Sequence, residues 1–585
     1  MPLILLFLAF IVYFWGYRFY SNRIAKKIGL IENNPTPAVE INDGIDYVPT
    51  QTQVVFAHHF ASIAGTMPII GPTIALVYGY IPAWLWLVFG AVFLGCVQDF
   101  VVLFVSIREK GKSIAQIINN TLGKLGYGLF LGFTLVMLLL VNSLFLNAAA
   151  TALTSKTPLT ILDLPESQTL LRTVQEKGVT KGVIGGIAST SVIIITICAP
   201  MIGYLLYKRK MHWFYGSLFS LFICIASVVF GFRYPVSLQP LYWQIILSVY
   251  TLFAAGLAVW LVLQPRDFIN VHILYLGILL LGVGTLISSL FKGLSFNFPS
   301  LNISEGTKTL GWIWPNLFIV IACGAISGFH CLIAGGTTSK QIKTEKASRQ
   351  IGYGAMILES ILGVLVVITV ATSLKDFAYY KQIVHTEQNP ILAFSLAVGG
   401  ILNNSLGVPK VYGAIFGIIM IEGFIATTLD TSIRLNRYLF EELWNILFKG
   451  NVPFPLNKIT FNSALPVVLM FIFAYSNALV ALVKIFGTAN QLLGSLALIA
   501  VSAWLFLKKK PTIYTVIPAL FISLTTIASL IYLQVTNFIP KRNYQLAVID
   551  FLLFILAIGV IVITVRFVVN LTKGKPSSET VSEQI

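Results

Sequence analysis

The sequence predicts an all-α, polytopic membrane protein of about fifteen helices, at least two of them broken midway. Three observations predict it. First, 57% of the 585 residues are hydrophobic and only 10% are charged, against about 25% charged in soluble proteins. Second, apolar runs of about 20 residues, the length that crosses a bilayer, recur along the chain with basic residues at their ends. Third, glycines and prolines interrupt some of these runs at their centres, where a continuous helix has no use for them.

In chain order, residues 1–27 form an N-terminal transmembrane helix. They lack a basic leader and a small-residue cleavage site, so the helix is expected to be retained. Residues 28–54 are a polar linker with Asn34-Pro35 and Asn42-Asp43-Gly44 as turn signals. Residues 55–435 are expected to hold the core, with broken helices near 65–72 and 323–336. The run 391–429 is too long for one crossing. Asn403, Asn404, Gly407 and Pro409 interrupt it, so it is either one broken helix or a re-entrant segment followed by a helix. Residues 436–460 read as an interfacial amphipathic helix, 461–570 as C-terminal transmembrane helices and 571–585 as a tail.

Alternate connections carry the basic residues, among them Arg18/Arg23/Lys26/Lys27, Arg108/Lys110/Lys112, Lys340/Lys343/Lys346/Arg349 and Lys508/Lys509/Lys510. Lys and Arg gather on the cytoplasmic side. The N-terminus is therefore expected outside and the C-terminus in the cytoplasm. The net charge of +17 is accounted for by these flanks, which suit lipid headgroups rather than nucleic acid.

The first broken run is VFAHHFASIAGTMPIIGPTIALVY at 55–78, where His58, His59, Ser62, Gly65 and Thr66 stand beside the interruption. The second is IACGAISGFHCLIAGGTT at 321–338, with Gly324, Ser327, Gly328, Phe329 and His330. The two run in opposite directions across the membrane, as an inverted repeat supplies, and unwound backbone at membrane depth belongs where it lines a binding site. Half-helix N-termini offer unpaired N–H groups to an anionic ligand. These ten residues are the expected substrate contacts.

Four carboxylates lie within apolar runs: Asp99, Glu359, Glu422 and Asp430. Charge at that depth costs at least a few kcal/mol, so such groups pair with one another or serve a pathway. Arg108 or Lys112 is the expected structural partner of Asp99, and Arg434 that of Asp430; Glu359 and Glu422 are the deeper groups and the better proton carriers. The five cysteines lie in apolar runs without CxxC spacing, so buried thiols are expected, with no metal and no cofactor. No HExxH, nucleophile elbow or P-loop occurs in the sequence.

Longer stretches carry a family likeness: NDGIDYVPT (42–50), HHFASIAGTMPIIGP (58–72), GCVQDFVVLF (95–104), LQPRDFIN (263–270), ACGAISGFHCLIAGGTTSKQI (322–342), IGYGAMILES (351–360), DTSIRLNRYL (430–439) and FGTANQLLGSLAL (486–498). With these stretches the chain resembles the carbon starvation protein A family of bacterial inner-membrane transporters. The resemblance implies proton-driven uptake of pyruvate or short peptides. It also implies the five-plus-five inverted repeat of the amino acid–polyamine–cation superfamily. The broken spans are seven crossings apart rather than five, so either additional helices are inserted between them or the two are not the repeat-related pair.

The leading expectation is a secondary active transporter, not an enzyme, with the proton as coupling ion. A sodium-coupled carboxylate or amino-acid symporter is the alternative. The reading from a different class is a membrane-embedded enzyme on a lipid-linked substrate, for which the loop 154–182 offers Asp163, Glu166 and Glu176 but no motif.

Overall fold

The computed structural model describes residues 1–43, 47–176, 178–209, 211–257, 261–477 and 479–572. Most of the tail predicted at 571–585 lies outside them. Twelve helices are long and apolar enough to cross a membrane. They are α1 (Pro2–Ile28), α4 (Tyr80–Arg108), α5 (Ile114–Leu153), α6 (Gly185–Leu206), α7 (Phe214–Arg233), α9 (Pro265–Phe291), α12 (Lys346–Ser373), α14 (Lys410–Leu447), α15 (Ile459–Ser476), α16 (Leu479–Leu507), α17 (Ile513–Phe538) and α18 (Tyr544–Phe567). A bent pair, α2 (Thr52–Ile63) and α3 (Met67–Tyr78), makes a thirteenth crossing with a 45° bend. The 17-residue α8 (Pro240–Gly256) and a second interrupted pair, α10 (Ile313–Val320) and α11 (Gly328–Gly336), are shorter apolar helices beside these.

The long run 391–429 resolves into α13 (Pro390–Leu406) and the start of α14, joined at Gly407, which takes the left-handed φ of 70° that ends the helix. The run is thus two helices rather than one. Gly400 packs on the Ser373 carbonyl at the end of α12, and Ser405 lies beside Gly284 near the end of α9. Lys410 pairs with Asp163 of the 154–184 connection at 2.8 Å. The C-terminal end of α13 thus lies on the side of the 154–184 connection, and at 17 residues the helix is about 25 Å long. A second correction concerns 436–460: no separate interfacial helix forms there. Its first part continues α14 unbroken to Leu447, because LFEELWNIL keeps helical periodicity with no breaker before Lys449-Gly450.

The polar linker is folded onto the basic face. Glu345, fully buried, accepts from Ile31 N (3.0 Å) and Asn34 Nδ2 (2.7 Å) and pairs with Arg108 Nε at 2.8 Å. Val48 N and Thr50 N donate to the Lys340 and Gln341 carbonyls. Arg108, one expected partner of Asp99, is therefore engaged at the membrane edge, and Lys112 lies 3.9 Å from Glu109.

On the other face, 154–184 carries a small antiparallel sheet of Lys156–Pro158, Thr173–Glu176 and Val179–Val183, the last strand central. Hydrogen bonds from Lys156 (2.5 Å) and Lys181 (3.3 Å) hold the Glu176 carboxyl below its usual range. A lowered carboxyl stabilises the fold above the ordinary glutamate value of about 4.3 and stops doing so as pH falls through the lowered value. Amide exchange of these strands is expected to accelerate below about pH 4 in the unmodified protein and not in Glu176→Gln. Equal acceleration in both would show that the pairs do not hold the sheet.

Candidate functional site

Each break sits slightly earlier than the sequence places it. The first spans residues 64–66, with Ala64 leaving helical geometry. Pro68 lies in the first turn of α3, where its missing N–H costs nothing, and Gly71 and Pro72 are inside α3. The second spans residues 321–327, and Gly328, Phe329, His330, Gly335 and Gly336 belong to α11. Gly71 serves close approach rather than unwinding, whereas Gly324 lies within the second break. A methyl group at Gly71 would fall on the Val320 carbonyl oxygen, and one at Gly324 would meet Leu87 Cδ2 and stand 3.9 Å from Pro68 Cα. The two interrupted helices thus touch at their breaks. Gly71→Ala is expected to cost about 1–3 kcal/mol by overpacking, read as a lower thermal midpoint of the purified protein. An unchanged midpoint would show that the contact yields.

The second break is clamped by side chains. Trp86 Nε1 donates to the Ile321 carbonyl (3.0 Å) and Gln491 Nε2 to that of Phe318 (2.6 Å), which satisfies the end of α10. Asn490 Oδ1 accepts from Phe329 N at 2.8 Å, its Nδ2 donates to Ser327 Oγ at 2.9 Å, and Gln98 donates to the Ser327 carbonyl. Trp86, Asn490 and Gln491 were not among the expected site residues. The signal for two of them was an adjacent amide pair inside an apolar run, FGTANQLLG.

His330 is the centre of the arrangement. Its Nδ1 lies 2.7 Å from Asp99 Oδ2 and its Nε2 3.3 Å from Glu359 Oε2. All three side chains are fully buried. A neutral imidazole has one N–H, so a histidine between two carboxylates holds an added proton on the ring or on one carboxylate. Asp99 is therefore a histidine partner, not a partner of Arg108 or Lys112. His59 Nδ1 lies 2.8 Å from Thr338 Oγ1. His59 Nε2, Ser62 Oγ, Thr66 Oγ1, His330 Nε2 and both Glu359 oxygens are buried without a hydrogen-bond partner. Buried polar atoms of this kind need a partner, from water, an ion or a ligand.

The structure does not bring all the expected residues together. His58 diverges from His59 and lies 3.9 Å from Asp267. Asp430 pairs with Arg266 at 2.8 Å and accepts from Tyr250 at 2.8 Å, whereas Arg434 donates to the Ala254 and Leu257 carbonyls. Glu422 is fully buried within electrostatic reach of Arg266, its oxygens without hydrogen bonds. Glu422 and Asp430 thus belong to a second cluster on α14. The breaks themselves are packed: His59, Ser62, Thr66, Ser327 and His330 are at most 1% exposed. A cavity of about 1060 Å³ lies instead beside α2, lined by Tyr17, Gln53, Phe56, His272, Tyr275 and Gly354 among others.

The model of the carbon starvation protein CstA family matches residues 1–386 and 375–529. This chain belongs to that family. It is 29% identical over 577 residues to a peptide transporter CstA of Campylobacter jejuni, covering 88% of this chain and 78% of that one. It is 35% identical over 373 residues to the pyruvate/proton symporter BtsT of Escherichia coli, covering 61% of this chain and 47% of that one. In fold it is similar to a manganese transporter of Eremococcus coleocola, with a TM-score of 0.55 at 10% identity, over 91% of this chain and 99% of that one. These relatives are named as transporters, not enzymes, and the chain shares the helical fold of the manganese transporter.

Proposed function

We propose that this family member is a proton-coupled secondary active transporter that takes up pyruvate or a short peptide across the bacterial inner membrane, with its basic face in the cytoplasm. The observation that carries the reading is His330 held between Asp99 and Glu359 where the two broken helices meet. The relatives' names, peptide transporter and pyruvate/proton symporter, support the substrate class.

The substrate carboxylate pairs with the hydroxyls of Ser62 and Thr66 and with the N-terminal turn of α3, whose dipole favours an anion. The proton resides on the His330–Glu359 pair, where it offsets the substrate charge. Asp99 holds the ring in register through Nδ1. The space beside α2 lets this half-helix swing toward it and open the breaks to the basic face, while the packed outer halves α3 and α10 stay together. Such rocking of one bundle against another is the general mode of broken-helix transporters.

The test is uptake of labelled pyruvate and dipeptides into proteoliposomes with proton and sodium gradients imposed separately. Accumulation driven by an inward proton gradient is expected. Accumulation driven only by sodium would replace the proton with sodium, and none under either gradient would remove the reading.

A further inference from the structure

The second break also assembles a donor set that proton transfer alone does not require. Cys323 Sγ, a ring nitrogen of His330 and a carboxylate oxygen of Glu359 all lie within 4.8 Å of one another, and all three residues are buried. They come from the break, from α11 and from α12, so no sequence spacing announces them. Asp99 occupies His330 Nδ1 at 2.7 Å. This leaves Nε2 aimed at Glu359, the carboxylate–histidine geometry that orients a metal-binding imidazole. Nε2 and both Glu359 oxygens lack hydrogen-bond partners. Cys323 Sγ accepts from Asn490 Nδ2 at 3.2 Å and donates to Ser327 Oγ at 3.4 Å, which fixes the sulfur at the break.

We infer that Cys323, His330 and Glu359 bind one divalent transition metal of the zinc type, with Asp99 positioning His330. Sulfur and imidazole donors select such an ion over magnesium or calcium. Metal bonds of about 2.0–2.3 Å set tetrahedral ligand atoms roughly 3.5 Å apart, so the set closes on the ion by about an ångström. Three protein ligands leave a fourth position open. The Cys323 thiolate and the Glu359 carboxylate together match the charge of a dication. On binding, Cys323 releases its thiol proton to solvent, as does the proton shared by His330 and Glu359. The functional consequence rests on the reading above: metal and coupling proton use the same atoms, so a metal-loaded protein stops cycling.

The experiment is a cobalt(II) titration of the purified full-length protein in detergent, followed by absorbance and then by zinc competition. One cobalt per chain with a thiolate charge-transfer band, displaced by zinc, is the expected result. Cys323→Ser should lose the band, and a variant with Cys96, Cys198, Cys224 and Cys331 changed to alanine should keep it. Glu359→Gln should weaken binding at least ten-fold. X-ray absorption of the zinc-loaded unmodified protein should show one sulfur at about 2.3 Å. No band in the unmodified protein, a band that survives in Cys323→Ser, or a zinc shell without sulfur overturns the site. Proton-driven uptake is measured separately in metal-free vesicles, so loss of the band with uptake intact sinks the metal site alone. A band without proton-driven uptake sinks the transport reading alone.

Discussion

Glutamine in place of His330 is expected to reduce proton-driven uptake on the order of 100-fold, which corresponds to about 2.7 kcal/mol. The amide keeps a donor and an acceptor between Asp99 and Glu359 but cannot carry the proton that a histidine between two carboxylates holds. Glu359→Gln separates coupling from movement. That side chain is fully buried and its oxygens have no hydrogen-bond partners, so the amide preserves shape while fixing the group as neutral. Exchange of labelled for unlabelled substrate should persist, and accumulation against a gradient should vanish. Counterflow and pH-jump uptake in the same vesicles distinguish the two. Uphill accumulation by both variants would move the proton elsewhere, with Glu422 the next group to test.

Arg266→Leu is expected to destabilise the protein by about 3–5 kcal/mol, the cost of leaving a buried charge without its partner. Arg266 is 1% exposed. It lies 2.8 Å from Asp430 and donates to Tyr250 Oη at 2.5 Å. Removing it leaves the Asp430 carboxyl in a dry site without its counter-charge, with Glu422 and Asp267 also close. The double variant Arg266→Leu/Asp430→Leu should recover most of the loss, because two apolar groups need no partners. Thermal or denaturant unfolding in detergent measures both. A single variant as stable as the unmodified protein would mean that the cluster relaxes or takes in water.

Local signals carried well where the physics is local. Apolar length and basic flanks marked the long crossings because each depends only on its own residues and the bilayer. The interruptions at Gly65 and Gly324 were legible because backbone at membrane depth has so few alternatives. Their exact edges were not: Pro68 and Gly328 read as breakers, yet both sit in the first turns of helices, where a missing donor or a missing side chain is tolerated. Charge partners were misassigned where sequence proximity was the guide. Asp430 is one turn from Arg434, yet it pairs with Arg266, 164 positions earlier. The buried guanidinium has no water to turn to and needs the carboxylate, whereas Arg434 reaches free carbonyls at the end of α8.

By itself the amino-acid sequence determined the membrane class, the two interrupted helices, the family stretches and the polar residue types within the apolar runs. These are all consequences of local hydropathy, backbone chemistry and chain order. Only the tertiary structure decided which of those groups meet: His330 with Asp99 and Glu359, Arg266 with Asp430, and Asn490 with the second break. The physical reason is that a buried polar group must find its partner in three dimensions, and the helix that supplies it is chosen by packing rather than by distance along the chain.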